Sequence, residues 1–227
     1  MNTQPLNLHH LVRRSLAAGT FLLAGALALA ADGPMTKDYH PDNTFSQAPV
    51  LPVRLKRIAV LPLMSDSERQ DLTDGREVLK PVLFEELVKT KKFEVVKVTP
   101  ELLRHQTGRA GWTGTEALPA NFFDTLQKDY ACDAVLLAEL TSYRAYAPLC
   151  VGWRLKLVDV RTHKIIWAAD EVFDASHAAV ANGARHSQPS RLLLFGTDPT
   201  EAWLVANSPS RFGGYSIATL LKTLPDR

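Results

Sequence analysis

Two patterns in this chain constrain its fold more than any composition does. The first half alternates strand-like and helix-like runs, and the stretch from Asp133 to Phe173 then holds three apolar runs with only short connections between them. Arg57-Ile58-Ala59-Val60-Leu61-Pro62-Leu63 is a short continuous apolar run, the mark of a strand buried on both faces. Phe93 to Val98 is a second strand. Between them, Leu79, Leu83 and Leu87 share one helix side with Val78 and Val82, while Lys80, Glu85 and Lys89 face outward. Asp74-Gly75-Arg76-Glu77 resembles a capping box. Pro81 either opens that helix in its first turn or kinks it. Thr99-Pro100-Glu101 starts a second helix, with a hydroxyl cap, proline at the first helical position and an acid near the positive end. Gly108, Gly111 and Gly114 then break the chain around Trp112, and Pro119 to Tyr130 forms a third helix carrying Phe122, Leu126 and Tyr130 on one side.

The later strands are joined differently. Val151, Trp153, Leu155 and Leu157 alternate with Gly152, Arg154 and Lys156, the two-residue period of a half-buried strand. Arg161-Thr162-His163-Lys164 is a tight turn into Ile165-Ile166-Trp167, which runs on towards Phe173. Ser176 to Ser187 reads as helical, and a last amphipathic helix over about 211–224 carries Phe212, Tyr215, Ala218 and Leu221. The order is β-α-β-α-α-β-β-β-α. Crossovers demand parallel pairing and short hairpins demand antiparallel pairing. The expected fold class is therefore α/β (α+β): a mixed sheet of parallel strands plus a C-terminal antiparallel meander, with helices packed on it.

Residues 1–30 carry no acid, and Arg13 and Arg14 precede a Leu/Ala/Gly-rich run from Leu16 to Leu29 that ends in Ala28-Leu29-Ala30. That run of about 14 residues is short for a bilayer core, which takes roughly twenty. It reads as a signal peptide cleaved before Ala31, with an uncleaved anchor as the alternative. Sec export fits better than the twin-arginine route, because the residues flanking Arg13-Arg14 match that motif poorly. Once the segment is cleaved, no integral membrane span is expected. No cysteine lies near the cleavage point, so the lipoprotein signal is missing. Residues 31–53, with Pro34, Pro41, Pro49 and Pro52, read as an extended linker or a strap over the surface. Residues 54–227 then form a single domain with an irregular insertion at about 185–208.

Charge narrows the function classes. Of 26 basic side chains, cleavage removes Arg13 and Arg14, leaving 24 against 24 acidic ones. A near-neutral chain lacks the basic excess that a nucleic-acid binder uses to neutralise phosphates. Cys132 and Cys150 would enter an oxidising compartment. The hairpin register puts Cys150 opposite about residue 142 and far from Cys132, which favours two buried thiols over a bridge.

Few motifs carry chemistry. There is no G-x-S-x-G elbow, no G-x-G-x-x-G, no Gly-Lys-Ser phosphate cradle and no H-E-x-x-H. Phe212-Gly213-Gly214 reads as a flexible entrance to the last helix. Glu85 with Glu86, and Asp170 with Glu171, are sequence neighbours that project differently, so neither pair suggests a shared proton. The best metal constellation is Asp170, Asp174 and His177, which would converge only if a helix began near Asp174. Capping of that helix by Asp174 or Ser176, with His177 exposed, is the simpler account. No cofactor is expected. Trp153 and Trp167 belong to the core, while Trp112 in its glycine-rich loop and Trp203 in the insertion are the candidates for partner contact.

The strand at 57–63, Phe93-Glu94-Val95-Val96, Cys132-Asp133-Ala134-Val135-Leu136 and above all Leu157-Val158-Asp159-Val160-Arg161-Thr162-His163-Lys164-Ile165-Ile166-Trp167 together resemble the CsgG/LpoB/TolB-N-terminal type of bacterial envelope protein. The "LVD-x-RT-x-K-x-x-W" turn is the most specific piece, and the resemblance covers about residues 55–175. It implies a periplasmic, non-catalytic domain that binds envelope protein partners in assembly or secretion. Any outer-membrane association would be without a lipid anchor. His163 stands where relatives usually place glycine, and histidine tolerates the left-handed backbone better than most residues. Two other readings stay open: a periplasmic metal-dependent hydrolase using Asp170, Asp174 and His177, and a homo-oligomeric structural component joined by strand edges.

Overall fold

The computed structural model describes residues 39–187 and 207–227. Among them are β1 (Thr44–Ser46), β2 (Arg57–Val60), β3 (Met64–Ser65), α1 (Gln70–Lys89), β4 (Glu94–Lys97), α2 (Pro100–Thr107), α3 (Phe122–Tyr130), β5 (Ala134–Arg144), β6 (Cys150–Asp159), β7 (Ile165–Asp174), α4 (Ala178–His186) and α5 (Pro209–Leu221). One mixed sheet runs β1-β7-β6-β5-β2-β4, with β3 also paired to β5. β2 lies parallel to both β4 and β5, whereas β5-β6-β7 is the antiparallel meander. This is the expected mixed architecture. None of the described helices is long and apolar enough to cross a membrane.

Helices cover the two faces unequally. On one face α1 and α5 pack over Ile58, Leu136, Trp153, Leu155, Trp167 and Phe173. On the other, α2 and α3 cover Ala59, Leu61, Val135, Leu137 and Val158. Burial of each such large side chain contributes about 1.5–3 kcal/mol. The Trp153 indole N–H donates to Ser216 Oγ (2.8 Å) and that of Trp167 to Thr223 Oγ1 (3.0 Å), so each ring is buried with its polar atom satisfied.

Three expectations change. First, α1 starts at Gln70, a turn before the apparent capping box, on Arg69 without a side-chain cap, and Pro81 lies inside it. Packing sets that start: Leu72 is already buried against the core. Gly75 serves close approach, since a Cβ there would come within 2.4 Å of the Tyr143 ring. Second, part of the stretch read as linker or strap is strand, because Thr44–Ser46 pairs antiparallel with Trp167–Ala169 of β7. Thr44-Phe45-Ser46 has no periodic signal of its own; the free edge of β7 supplies the ladder. Third, Cys150 pairs with Arg144 rather than residue 142, because the hairpin is centred on Ala147 instead of Tyr146. Both cysteines are buried and free, and burial pushes the Cys132 thiol up to about 11.

Candidate functional site

The structure does not bring Asp170, Asp174 and His177 together. Asp170 and Asp174 lie four residues apart on β7, roughly 13 Å along an extended strand. Arg154 Nε donates to Asp170 (2.8 Å) and Arg154 Nη1 to Glu139 (3.3 Å). Glu139, Arg154 and Asp170 stand directly opposite one another across β5, β6 and β7, so the three charges form a row that ties the strands together. Asp174 accepts from Arg144 Nη2 (2.9 Å) and the Ser176 amide (2.8 Å). Burial pushes its carboxyl up, but the Ser176 and Arg144 hydrogen bonds outweigh that and hold it below the usual range. His177 is the exposed N-cap residue of α4 and makes no side-chain cap. Among the described residues, no three His, Cys, Asp or Glu side chains are grouped to hold a metal ion.

Trp112 is core, which corrects its reading as a surface aromatic: it is 6% exposed. Its indole N–H donates to Thr107 Oγ1 (2.9 Å), Phe122 meets its ring edge-on, and the Arg109 guanidinium lies 4.4 Å over it. Glu116 locks the loop by accepting from the Thr113 amide (2.8 Å) and from Arg109 (2.8 Å). Those bonds, the Thr113 amide foremost, hold its carboxyl below the usual range. Trp203 and residues 188–206 of the insertion lie outside the described residues.

The turn that carries the family resemblance is built around a buried carboxylate. Asp159 Oδ1 accepts from the amides of Arg161 (2.9 Å) and Thr162 (3.1 Å), and Oδ2 pairs with Arg54. Burial opposes this charge, but Arg54 and the two amides prevail and keep the Asp159 carboxyl below the usual range. His163 takes the left-handed conformation (φ 54°), and its ring stacks on Phe123 at 5.0 Å between centroids.

Among the described residues, a groove of about 840 Å³ lies on the helical face. Four segments wall it: Tyr39–Pro41, α1, α4 and α5. Charge of both signs lines it, from Glu85, Glu86, Arg211 and Lys222, and Lys89 bridges to Glu86 (2.5 Å). Glycine shapes its floor, since a Cβ on Gly214 would have no atom nearer than 3.7 Å. Sequence reasoning missed this groove because its residues come from segments far apart in the chain.

No protein-family model matches the chain, and no curated protein matches it in sequence. Solved structures do. The chain is similar to the PelC dodecamer from Paraburkholderia phytofirmans, at 15% identity over 81% of this chain and 96% of that one, with a TM-score of 0.43. It is similar to lipoprotein GNA1162 from Neisseria meningitidis, at 21% identity over 52% of this chain and 79% of that one, with a TM-score of 0.36. The C-terminal domain of LpoB from Escherichia coli matches at 15% identity, over 52% of this chain and 82% of that one, with a TM-score of 0.33.

Proposed function

We propose that this chain is an exported, non-catalytic accessory protein of the bacterial cell envelope that works by binding protein partners in envelope assembly or secretion. Residues 1–30 direct export to the periplasm, by the Sec route, and are then removed. The observation that carries this reading is where the chemistry-bearing side chains are engaged. Asp159, Asp170, Asp174 and Glu116 are each held by an arginine together with, in three of the four, backbone amides. Their role is to fasten strands and loops, while the groove walled by α1, α4 and α5 offers a surface of mixed charge suited to a protein partner. The Leu157–Trp167 turn supports the same reading by its resemblance.

Gly214→Trp is the direct test, because Gly214 lines the groove and a Cβ there meets no atom nearer than 3.7 Å. Crosslinking in intact envelopes, followed by reconstitution with the identified purified partner, is expected to show binding by the wild-type chain. The variant, with unchanged thermal unfolding, is expected to lose at least about tenfold in affinity, or 1.4 kcal/mol. Equal binding by the variant would sink the groove as the docking surface, whereas absence of any envelope partner, or substrate turnover by the purified protein with stoichiometric bound metal, would overturn the proposal.

A further inference from the structure

Among the described residues, β4 closes one side of the sheet and pairs only with β2. The amides of Glu94 and Val98 donate inward, to the carbonyls of Lys56 and Val60. Alternation along the strand therefore turns the main-chain N–H and C=O of Val95 and Lys97 off the sheet. Beside this free edge, at the C-terminal ends of β2 and β4, Leu63, Leu83, Phe84, Val98 and Pro100 line a small apolar notch flanked by Lys80 and Lys97.

The charges around the edge are unbalanced in a particular way. Glu94 is paired with Arg57 (2.8 Å), and the Glu101 carboxyl is held below the usual range by its own amide and Thr99 and, more weakly, by Arg104 and Lys80. Lys80 reaches Glu77 at 3.6 Å. Lys91 and Lys97 form no ion pair among the described residues, and Lys97 Nζ stands 5.9 Å from the Phe84 ring centroid. Both of these lysines are exposed. Lysine on an edge strand deters indiscriminate pairing. The same charges favour an incoming strand that carries carboxylates.

We infer that the free edge of β4 is a strand-binding site for an extended acidic segment of a partner protein. The segment's main chain pairs with Val95 and Lys97, and one of its apolar side chains enters the notch beside Phe84. This rests on the reading above that the chain works by binding, and it adds the form and charge of the partner.

The test uses the purified full chain, a capped peptide of alternating Val and Glu, and a matched Val/Lys peptide, read by amide hydrogen exchange. With the Val/Glu peptide at ten times its dissociation constant, exchange at Val95 and Lys97 is expected to slow by about tenfold. The Val/Lys peptide should leave both amides unprotected. Lys97→Pro removes an outward-facing donor and the Lys97 charge but no donor to β2, so the β2 ladder remains while peptide protection at Val95 is lost. Equal protection by the two peptides, or none at saturation, would overturn the site. So would protection before peptide is added, whether it rises with protein concentration, as for a second copy, or not, as for a segment of the same chain. A partner captured equally by wild type and Lys97→Pro would sink the edge site alone. Peptide binding at the edge with no envelope partner for the chain would sink only the broader reading.

Discussion

Asp159 shows how one side chain holds a turn against its own burial. At 3% exposure its carboxylate is removed from water, and two backbone amides and Arg54 replace the lost hydration. Asp159→Ala leaves those donors facing no acceptor, and urea unfolding is expected to show a loss of about 2–3 kcal/mol. Asp159→Asn keeps an oxygen for the amides and should lose less. The pH dependence has a definite sign. The folded carboxyl lies below its unfolded value of about 3.9. Its stabilisation is therefore complete above that value and disappears as pH falls through the lower folded one. Urea midpoints measured across acid pH should fall more steeply below about pH 4 for wild type than for Asp159→Asn. This residue was legible as part of a specific turn motif, and His163 as the strained position within it. The Arg54 partner was not, because 105 residues separate it from Asp159.

Elements were legible where one segment's own pattern decides them, and obscure where a neighbour does. α2 begins where Thr99-Pro100 says it should, with the Thr99 hydroxyl accepting from Leu102 N. β1 and the first turn of α1 carry no such signal, because β7 and Tyr143 shape them from outside. The Trp112 loop misled for a similar reason: glycines suggested exposure, whereas Thr107, Arg109 and Phe122 enclose the indole. Trp112→Ala should therefore act as a core deletion, lowering stability by about 3–5 kcal/mol. Thermal unfolding would register this directly, and partner binding measured on the fraction still folded should be retained. At the end of α3, Ala131 adopts the left-handed conformation (φ 49°) that glycine occupies without strain. Ala131→Gly is expected to stabilise the fold by about 1 kcal/mol, seen as a higher Tm.

For the whole molecule, two crossovers followed by a meander left little choice of sheet, and the mixed architecture follows from them. The candidate sites were far less legible, because the groove gathers residues from 39 to 223 and the β4 edge depends on which strand has no neighbour. The same topology has a consequence in time. β5, β6 and β7 find one another across connections of a few residues, whereas Ile58 pairs with Ala134 across a separation of 76. Closing that longer loop costs about 2 kcal/mol more chain entropy than closing a hairpin. The local meander thus offers an early template, and β2, though it precedes the meander in the chain, is among the last strands to gain from docking.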